Sequence, residues 1–164
     1  HTPDFDASIR ALVNKAKPGA EIVVDFYPIK GWWTKVHSKY MLRPLTTRMR
    51  HPQLHALIEK NIDWLIKIFD ALNRLGLGVM TRFLPITDMR GFPPGLTKSE
   101  RREWAVLDTF DAFSPAFDQP QRVDDVVVMF ERAGARVTFA GPVIFEKSGG
   151  ATVVRAVKRA KREH

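Results

Sequence analysis

The opening of the chain, where a helix is followed at once by a short apolar strand, constrains the fold more than any other feature. Pro18 and Gly19 separate the two segments, and residues 21–27 form a nearly continuous, β-branched apolar run. Such a run is typical of a parallel strand covered on both faces. The opening therefore predicts half of a βαβ unit. The helix is predicted by apolar residues that recur with a 3.6-residue period, at Phe5, Ile9, Leu12, Val13 and Ala16.

The start of this helix has capping residues of its own. Thr2 can cap the helix, and Pro3 suits the first helical position, where no amide hydrogen is needed. Asp4 and Asp6 favour the positive end of the helix dipole. The sequence therefore predicts a helix that begins at Pro3.

The end of the chain repeats the helix-to-strand order and then reverses direction. Gly134 follows an amphipathic helix at the place where a left-handed C-cap is expected. Strand-like residues 137–145 come next, with a bulge or break expected at Gly141 and Pro142. A turn at 148–150 leads into residues 151–157, so an antiparallel hairpin should end a sheet that began as parallel. The helix is indicated by Val123, Val126, Val127, Phe130 and Ala133.

The middle of the chain has a different character. Leucines and isoleucines between Leu54 and Leu75 predict one long amphipathic helix that ends at Gly76. Residues 83–95 are rich in proline and glycine and predict an irregular connection. We therefore expect one domain, with residues 1–29 and 104–164 as its α/β part and residues 30–103 as a mostly helical insertion.

Composition narrows the classes of function. The chain has no cysteine, which excludes disulfides and thiolate chemistry. The lack of cysteine and of an apolar run long enough to cross a membrane fits a cytoplasmic, soluble protein. Its 164 residues carry a net charge of +8, with basic residues concentrated in 30–50 and in the tail 155–162. Nucleic acid or an anionic surface could bind such regions, although a basic tail is more often a solvated end, so nucleic-acid binding is disfavoured.

Residues 108–121 stand out as a stretch rich in carboxylates and aromatic side chains. We interpret this stretch as a loop that leads into the final helix and lines a site. Asp108 and Asp111 are three residues apart, so a helical turn would place both carboxylates on one side. The alternatives are helix capping or salt bridges to Arg101 or Arg102.

Several segments together resemble the carboxyl-terminal half of class I S-adenosylmethionine-dependent methyltransferases. In that family a strand end with a Pro-Asp, a helix, a Pro-Gly turn and a further strand precede a variable insertion, a helix ending in Ala-Gly and a hairpin. Residues 1–4, 17–20, 22–25 and 130–134 match these places in order, and residues 104–121 match the loop before the last helix in one bacterial branch.

The resemblance implies a Rossmann-like doubly wound sheet, S-adenosylmethionine as cofactor, and His1 and Thr2 beside that cofactor. The family's Gly-x-Gly-x-Gly turn is absent, because Gly76-Leu77-Gly78 follows a predicted helix and Gly149-Gly150 lies in a predicted hairpin turn. The chain is therefore expected to be a carboxyl-terminal fragment that is inactive alone. Its first strand should lack a neighbour, which leaves an unpaired edge and an apolar face.

The resemblance and the residue types together nominate the site. Asp108 and Asp111 are the candidate catalytic residues, because carboxylates near a sulfonium could stabilise its charge or accept a substrate proton. Aromatic residues at such spacings are more often core, and Asp25 could instead pair with a basic residue of the insertion. The candidate substrate-binding residues are Asp25, Tyr27, Trp32, Trp33, Tyr40, Trp104, Phe110 and Phe113.

Other functions were weighed against this one. His51, His55 and Glu59 share a helical stripe, but Pro52 and the missing catalytic acid argue against a zincin-type metal site, and no metal is expected. The expected acceptor is a small molecule or a lipid-linked molecule, with peripheral membrane contact by the insertion as a further hypothesis. The alternative function is a basic helical interaction module that binds RNA or an anionic surface through residues 30–50 and the tail.

Overall fold

The computed structural model describes residues 2–29, 31–144 and 150–160. It divides the chain into two compact units. Unit 1 consists of His1–Lys30 and Phe117–His164, and unit 2 consists of Gly31–Ala116. The structure is of the mixed α/β class, since helices accompany a three-stranded antiparallel sheet. Among the described residues, no helix is both long and apolar enough to cross a membrane.

The sheet of unit 1 is built from β1 (Glu21–Phe26), β2 (Ala135–Ile144) and β3 (Gly150–Lys158) in the order β1-β3-β2. The last strand is antiparallel to both neighbours, so β1 and β2 run parallel to each other with β3 reversed between them. The predicted antiparallel pairing of the last two strands is thus present, whereas the described sheet has no parallel pair. The prediction that β1 pairs as a parallel strand differs from the described sheet, where β1 occupies an edge and its pairing with β3 is antiparallel.

One face of this sheet carries the core of unit 1. Helices α1 (Phe5–Lys15) and α5 (Val123–Arg132) pack on that face, and Phe130 is completely buried between them and the sheet. On the opposite face Val23 is 57% exposed, although the sequence predicts that β1 is covered on both faces. The difference arises because both described helices of this unit pack on one side. The buried residues of this core are Ile9, Val13, Ile22, Val126, Phe130, Ala135, Val154 and Ala156.

The ends of the unit 1 elements follow local chemistry. Helix α1 begins after Asp4, whose carboxylate accepts a hydrogen bond from the backbone NH of Ala7 at 2.9 Å, so the predicted Thr2 cap and Pro3 start are wrong. Asp4 is the N-cap because its extended backbone lets its short carboxylate reach the first turn of α1. Gly19 and Gly134 adopt positive φ values of 79° and 92°, as the predicted turn and C-cap require.

The sequence predicts a bulge or break at Gly141 and Pro142, but strand β2 is continuous through these residues. Its register shifts instead between Val137 and Phe139, so the irregularity comes earlier in the strand. Most of the predicted turn at 148–150 lies outside the described residues, as does His1, the first of the two cofactor-binding candidates.

Unit 2 is built around the predicted long helix. Helix α3 (His51–Arg74) ends before Gly76, which adopts a φ of 74°. Helix α4 (Lys98–Phe113) packs along α3, with Arg101 paired to Asp70 and Arg102 to Asp63 at 2.6 and 3.0 Å. The α/β part was expected to resume at residue 104, but these contacts place α4 in unit 2. The core side chains of α3 are Leu54, Ile58, Ile62, Leu65 and Phe69.

Shorter elements complete unit 2. Helix α2 (Ser38–Thr46) follows a 3₁₀ helix at Gly31–Lys35. The predicted irregular connection over residues 83–95 contains a 3₁₀ helix at Met89–Gly91 and follows another at Gly78–Phe83. These turns bring the residues after α3 back against the start of α2, where Ser38 Oγ donates a hydrogen bond to the carbonyl of Leu84.

Candidate functional site

The first group of candidate residues lies at the carboxyl end of β1 in unit 1. The rings of Phe5 and Phe26 meet edge-on with centroids 6.1 Å apart, so the amino end of α1 lies beside the carboxyl end of β1. Thr2, Asp25 and Tyr27 are therefore at one end of the unit, and all three side chains are exposed. In open α/β sheets ligands gather outside the carboxyl ends of the strands. The ligand position that the sequence predicts, outside the carboxyl end of β1, corresponds to this end of unit 1.

Backbone pairing ties the segment before α5 to this end of the sheet. The NH of Gln121 donates to the carbonyl of Tyr27 at 2.9 Å, and the NH of Ile29 donates to the carbonyl of Gln121 at 2.8 Å. The Gln119 amide donates to the carbonyl of Pro3 at 2.8 Å and, at 3.4 Å, to that of Thr2. The two glutamines therefore fix the surroundings of Thr2 and Tyr27. We call Thr2, Asp25, Tyr27, Gln119 and Gln121 the β1-end cluster.

Neither glutamine was among the predicted site residues. Both fall within residues 108–121, but the features that mark this stretch in the sequence are its acids and aromatic rings. A backbone bond between Gln121 and Tyr27 joins residues that are far apart in sequence, so no local pattern announces it. The one signal in the sequence that could have indicated these glutamines is their side-chain amide, which has both a hydrogen-bond donor and an acceptor.

The second group lies on α4 in unit 2. Asp108 and Asp111 are in the last turns of this helix, so the interpretation of residues 108–121 as one continuous loop is wrong for its first part, which is helical as far as Phe113. Both carboxylates are exposed, as is Trp104 one turn before Asp108. Partial burial and then the negative charge of Asp111 raise the pKa of Asp108 above its ordinary value. Asp108 therefore holds a proton more readily than an ordinary aspartate.

The structure weighs against the two structural alternatives proposed for these carboxylates. Helix α4 is capped at its other end, where Thr97 and Glu100 form a capping box. Arg101 and Arg102 pair with acids of α3 rather than with α4's own carboxylates. A carboxylate with a raised pKa, such as Asp108, is a feature of functional sites, although it is also found elsewhere.

The aromatic candidates of α4 divide into two kinds. Phe113 is 4% exposed and belongs to the core, which fits the packing role that the sequence left open. Phe110 is half-buried, and the rings of His51 and His55 meet it edge-on at 5.6 and 5.7 Å. Trp104 is different, because it is 42% exposed. Of the three, Trp104 presents the most surface to a ligand.

A third group forms around the tryptophan pair of unit 2. The rings of Trp32 and Trp33 stack with centroids 4.4 Å apart, and the guanidinium of Arg82 lies over the Trp33 ring at 4.7 Å. Arg82 also donates a hydrogen bond to the carbonyl of Val36 at 2.7 Å, so one cation holds the 3₁₀ helix in place. Trp32 remains 69% exposed. Tyr40 lies nearby in sequence on α2, with the ammonium of Lys39 at 5.6 Å from its ring.

Two polar residues of unit 2 that the sequence did not single out have defined surroundings. Arg43 is buried and donates to the carbonyls of Ala112 and Pro115 at 3.2 and 2.7 Å, so it caps the carboxyl end of α4. The Nδ1 of His37 accepts a hydrogen bond from the NH of Lys39. Burial, followed by the positive charges of Arg82 and Lys39, lowers the pKa of His37.

The histidines of α3 have a packing role in the described structure. His51 and His55 contact Phe110, and Nδ1 of His55 lies 3.7 Å from a carboxylate oxygen of Glu59. Within residues 2–29, 31–144 and 150–160 there is no group of three histidine, cysteine or acidic side chains placed to hold a metal ion.

Comparisons with known proteins add no further constraint on the site. No protein-family model matches the chain, no curated protein matches it, and no solved structure matches it. The function must therefore be argued from the geometry and from the motifs in the sequence.

Proposed function

We propose that the chain is the carboxyl-terminal part of an S-adenosylmethionine-dependent methyltransferase that acts on a small or lipid-linked acceptor. The sheet order is the observation that carries the proposal. Strands β1 and β2 run in the same direction on either side of the reversed β3, and the resemblance implies a reversed terminal strand of this kind. The helical insertion between β1 and α5 forms a compact unit of its own, in agreement with a variable insertion.

The residues of the chain match only one side of a cofactor site. In residues 2–29, 31–144 and 150–160, no glycine pair follows a strand and opens a helix, because Gly76 and Gly78 follow α3. The β1-end cluster offers polar groups but no nucleoside-holding turn. This chain alone does not fit the cofactor, and a doubly wound sheet would require a further part that pairs with the edge of β1. Without that part the fragment should be inactive.

The role proposed for unit 2 is acceptor selection. The cofactor of this class supplies an electrophilic methyl group, so the protein must chiefly align an acceptor and exclude water, which is worth up to about 7 to 11 kcal/mol for well-oriented reactants. Trp104 and Trp32 provide exposed aromatic surface for an acceptor. Asp108 is the better candidate of the two carboxylates to accept a proton from the acceptor, because its raised pKa brings it closer to neutrality.

A methyl-transfer assay tests this assignment in the whole gene product that contains the chain. Release of S-adenosylhomocysteine should depend on an added acceptor, and Asp108→Asn should lower kcat while leaving cofactor affinity unchanged. Lys98→Gln, an exposed change at the start of the same helix, is the matched control and should leave kcat unchanged. Unaltered turnover in Asp108→Asn would remove Asp108 from the mechanism.

The basic interaction module remains the alternative function, and salt dependence separates it from the enzyme. If the chain binds single-stranded RNA and the affinity falls steeply with ionic strength, the module is favoured. If it binds no RNA even at low salt, the module is excluded as a nucleic-acid binder.

A further inference from the structure

Helix α3 and its C-cap carry a second, exposed apolar stripe beside the side of the helix that faces the core of unit 2. We call Leu57, Trp64, Ile68 and Leu75 the outer stripe. They recur at intervals of seven, four and seven residues, so they share one side of a 3.6-residue helix. Their exposed fractions are 48%, 47%, 39% and 72%. An exposed apolar stripe of this kind on a charged chain indicates an interaction surface.

A row of cations runs beside the outer stripe. Lys60, Lys67 and Arg74 recur every seven residues and are all exposed. Because seven residues are close to two helical turns, the three side chains follow one line along α3. We call these three residues the basic row. Lys60 and Lys67 each lie three residues after a member of the outer stripe, so cation and apolar surface are adjacent along the helix.

Two acids of α3, Asp63 and Asp70, lie next to the basic row and are paired with arginines of α4. Asp70 accepts two hydrogen bonds from Arg101, at 2.6 and 2.8 Å, and Asp63 accepts one from Arg102 at 3.0 Å. The hydrogen bond from Arg101 is the main cause of the lowered pKa of Asp70, with a smaller attraction from Arg74. The arginines of α4 thus offset these negative charges. The charge that remains beside the outer stripe is positive.

From this arrangement we infer that the outer stripe and the basic row dock unit 2 onto an anionic lipid bilayer. An apolar stripe bordered by lysine and arginine is the pattern of a helix that lies in the membrane interface, where a tryptophan such as Trp64 is favoured. The helix lies on the bilayer rather than crossing it, since no helix in the described part of the chain is apolar enough to span. This inference does not depend on the methyltransferase proposal.

Charge complementarity favours a bilayer over a second copy of the chain. A two-fold pairing of α3 through the outer stripe would bring two basic rows together, and each chain already carries a net charge of +8. An anionic headgroup layer instead attracts every member of the basic row. RNA would be attracted by the same cations, but it offers no apolar phase for Leu57, Ile68 and Leu75.

Vesicle co-sedimentation of the 164-residue chain tests the inference. The chain should bind vesicles of phosphatidylcholine with about 30% phosphatidylglycerol much more strongly than phosphatidylcholine alone. Lys60→Glu/Lys67→Glu should lower the partition coefficient at least about 25-fold, from roughly five-fold per lost cation near the surface. Trp64→Gln should lower the partition coefficient about five-fold, because less apolar surface is removed from water when the chain binds the bilayer.

A charge-matched variant separates the surface from the net charge. Lys17→Glu/Lys98→Glu changes the net charge by the same amount as Lys60→Glu/Lys67→Glu, but at exposed positions outside α3. It should reduce vesicle binding less than three-fold, because only a long-range attraction that salt screens is lost. Far-UV circular dichroism of each variant establishes that the fold is retained. Lack of binding to anionic vesicles, or equal loss in both charge variants, overturns the inference. The inference is also overturned if the chain does not bind vesicles and instead forms a dimer that Trp64→Gln dissociates. Binding of RNA without binding of vesicles overturns it as well.

Discussion

The buried guanidinium of Arg43 gives the sharpest prediction about unit 2. It donates hydrogen bonds to the carbonyls of Pro115 and Ala112, at 2.7 and 3.2 Å, beyond and within the last turn of α4. A hydrogen bond from a charged donor contributes about 1.5 to 3 kcal/mol. Counting the short bond in full and the longer bond at half, Arg43→Met should lower the free energy of unfolding by about 3 kcal/mol.

A lysine at this position should recover part of the loss. Lys keeps the positive charge near the carboxyl end of α4 but cannot donate to both carbonyls in the geometry of a guanidinium. Arg43→Lys should therefore cost about half as much, roughly 1.5 kcal/mol. The matched control is Arg48→Met at an exposed position, which should change the free energy of unfolding by less than about 0.5 kcal/mol.

Tryptophan fluorescence during urea unfolding is the appropriate assay. All four tryptophans, Trp32, Trp33, Trp64 and Trp104, lie within Gly31–Ala116, so the signal reports unit 2 alone. The reasoning is refuted if Arg43→Met and Arg48→Met have the same urea midpoint. It is also refuted if Arg43→Lys is as stable as the wild type, because the fork geometry would then contribute nothing.

Three further predictions concern the core of unit 1 and two acids of unit 2. Phe130→Ala should cost about 3 to 5 kcal/mol, because Phe130 is fully buried in unit 1, and circular dichroism melting will show no loss of stability if the core assignment is wrong. Asp108→Asn should stabilise unit 2 at neutral pH by about 0.2 to 0.5 kcal/mol, since it removes the repulsion by Asp111 at a solvent-screened site; urea midpoints that fall would contradict this. The pKa of Asp70 is lowered chiefly by Arg101, so its stabilising effect should be complete above the unfolded pKa of about 3.9 and be lost as the pH falls through the lower folded pKa. Urea midpoints of wild type and Asp70→Asn should therefore differ at neutral pH and converge as the pH falls below the folded pKa of Asp70, and a gap that widens in acid would show the opposite sign.

Local pattern was enough to predict the main elements. The period of the apolar residues predicted α1, α3 and α5, and β-branched runs predicted β1 and β3, because the same residues that set the period are those that the cores bury. Gly76 and Gly134 marked helix ends for a backbone reason, a positive φ that other residues avoid.

Tertiary contacts decided what the sequence could not. Residues 108–113 look like a loop because of their acids and the following Ser114-Pro115, yet they are helical where α4 packs on α3. The partners of Gln121 and Arg43 are distant in sequence, so no local rule could supply them. The exposure of one face of β1 could not be predicted either, because an apolar run alone does not reveal how many faces of a strand are covered.

The methyltransferase proposal requires that a cofactor-binding part joins this chain at the edge of β1. Calorimetric titration of S-adenosylmethionine into the whole gene product tests it directly, with the 164-residue chain as the comparison. We expect saturable binding by the whole product and none by the chain alone. Absence of binding by the whole product, under conditions where circular dichroism shows it folded, would contradict the account.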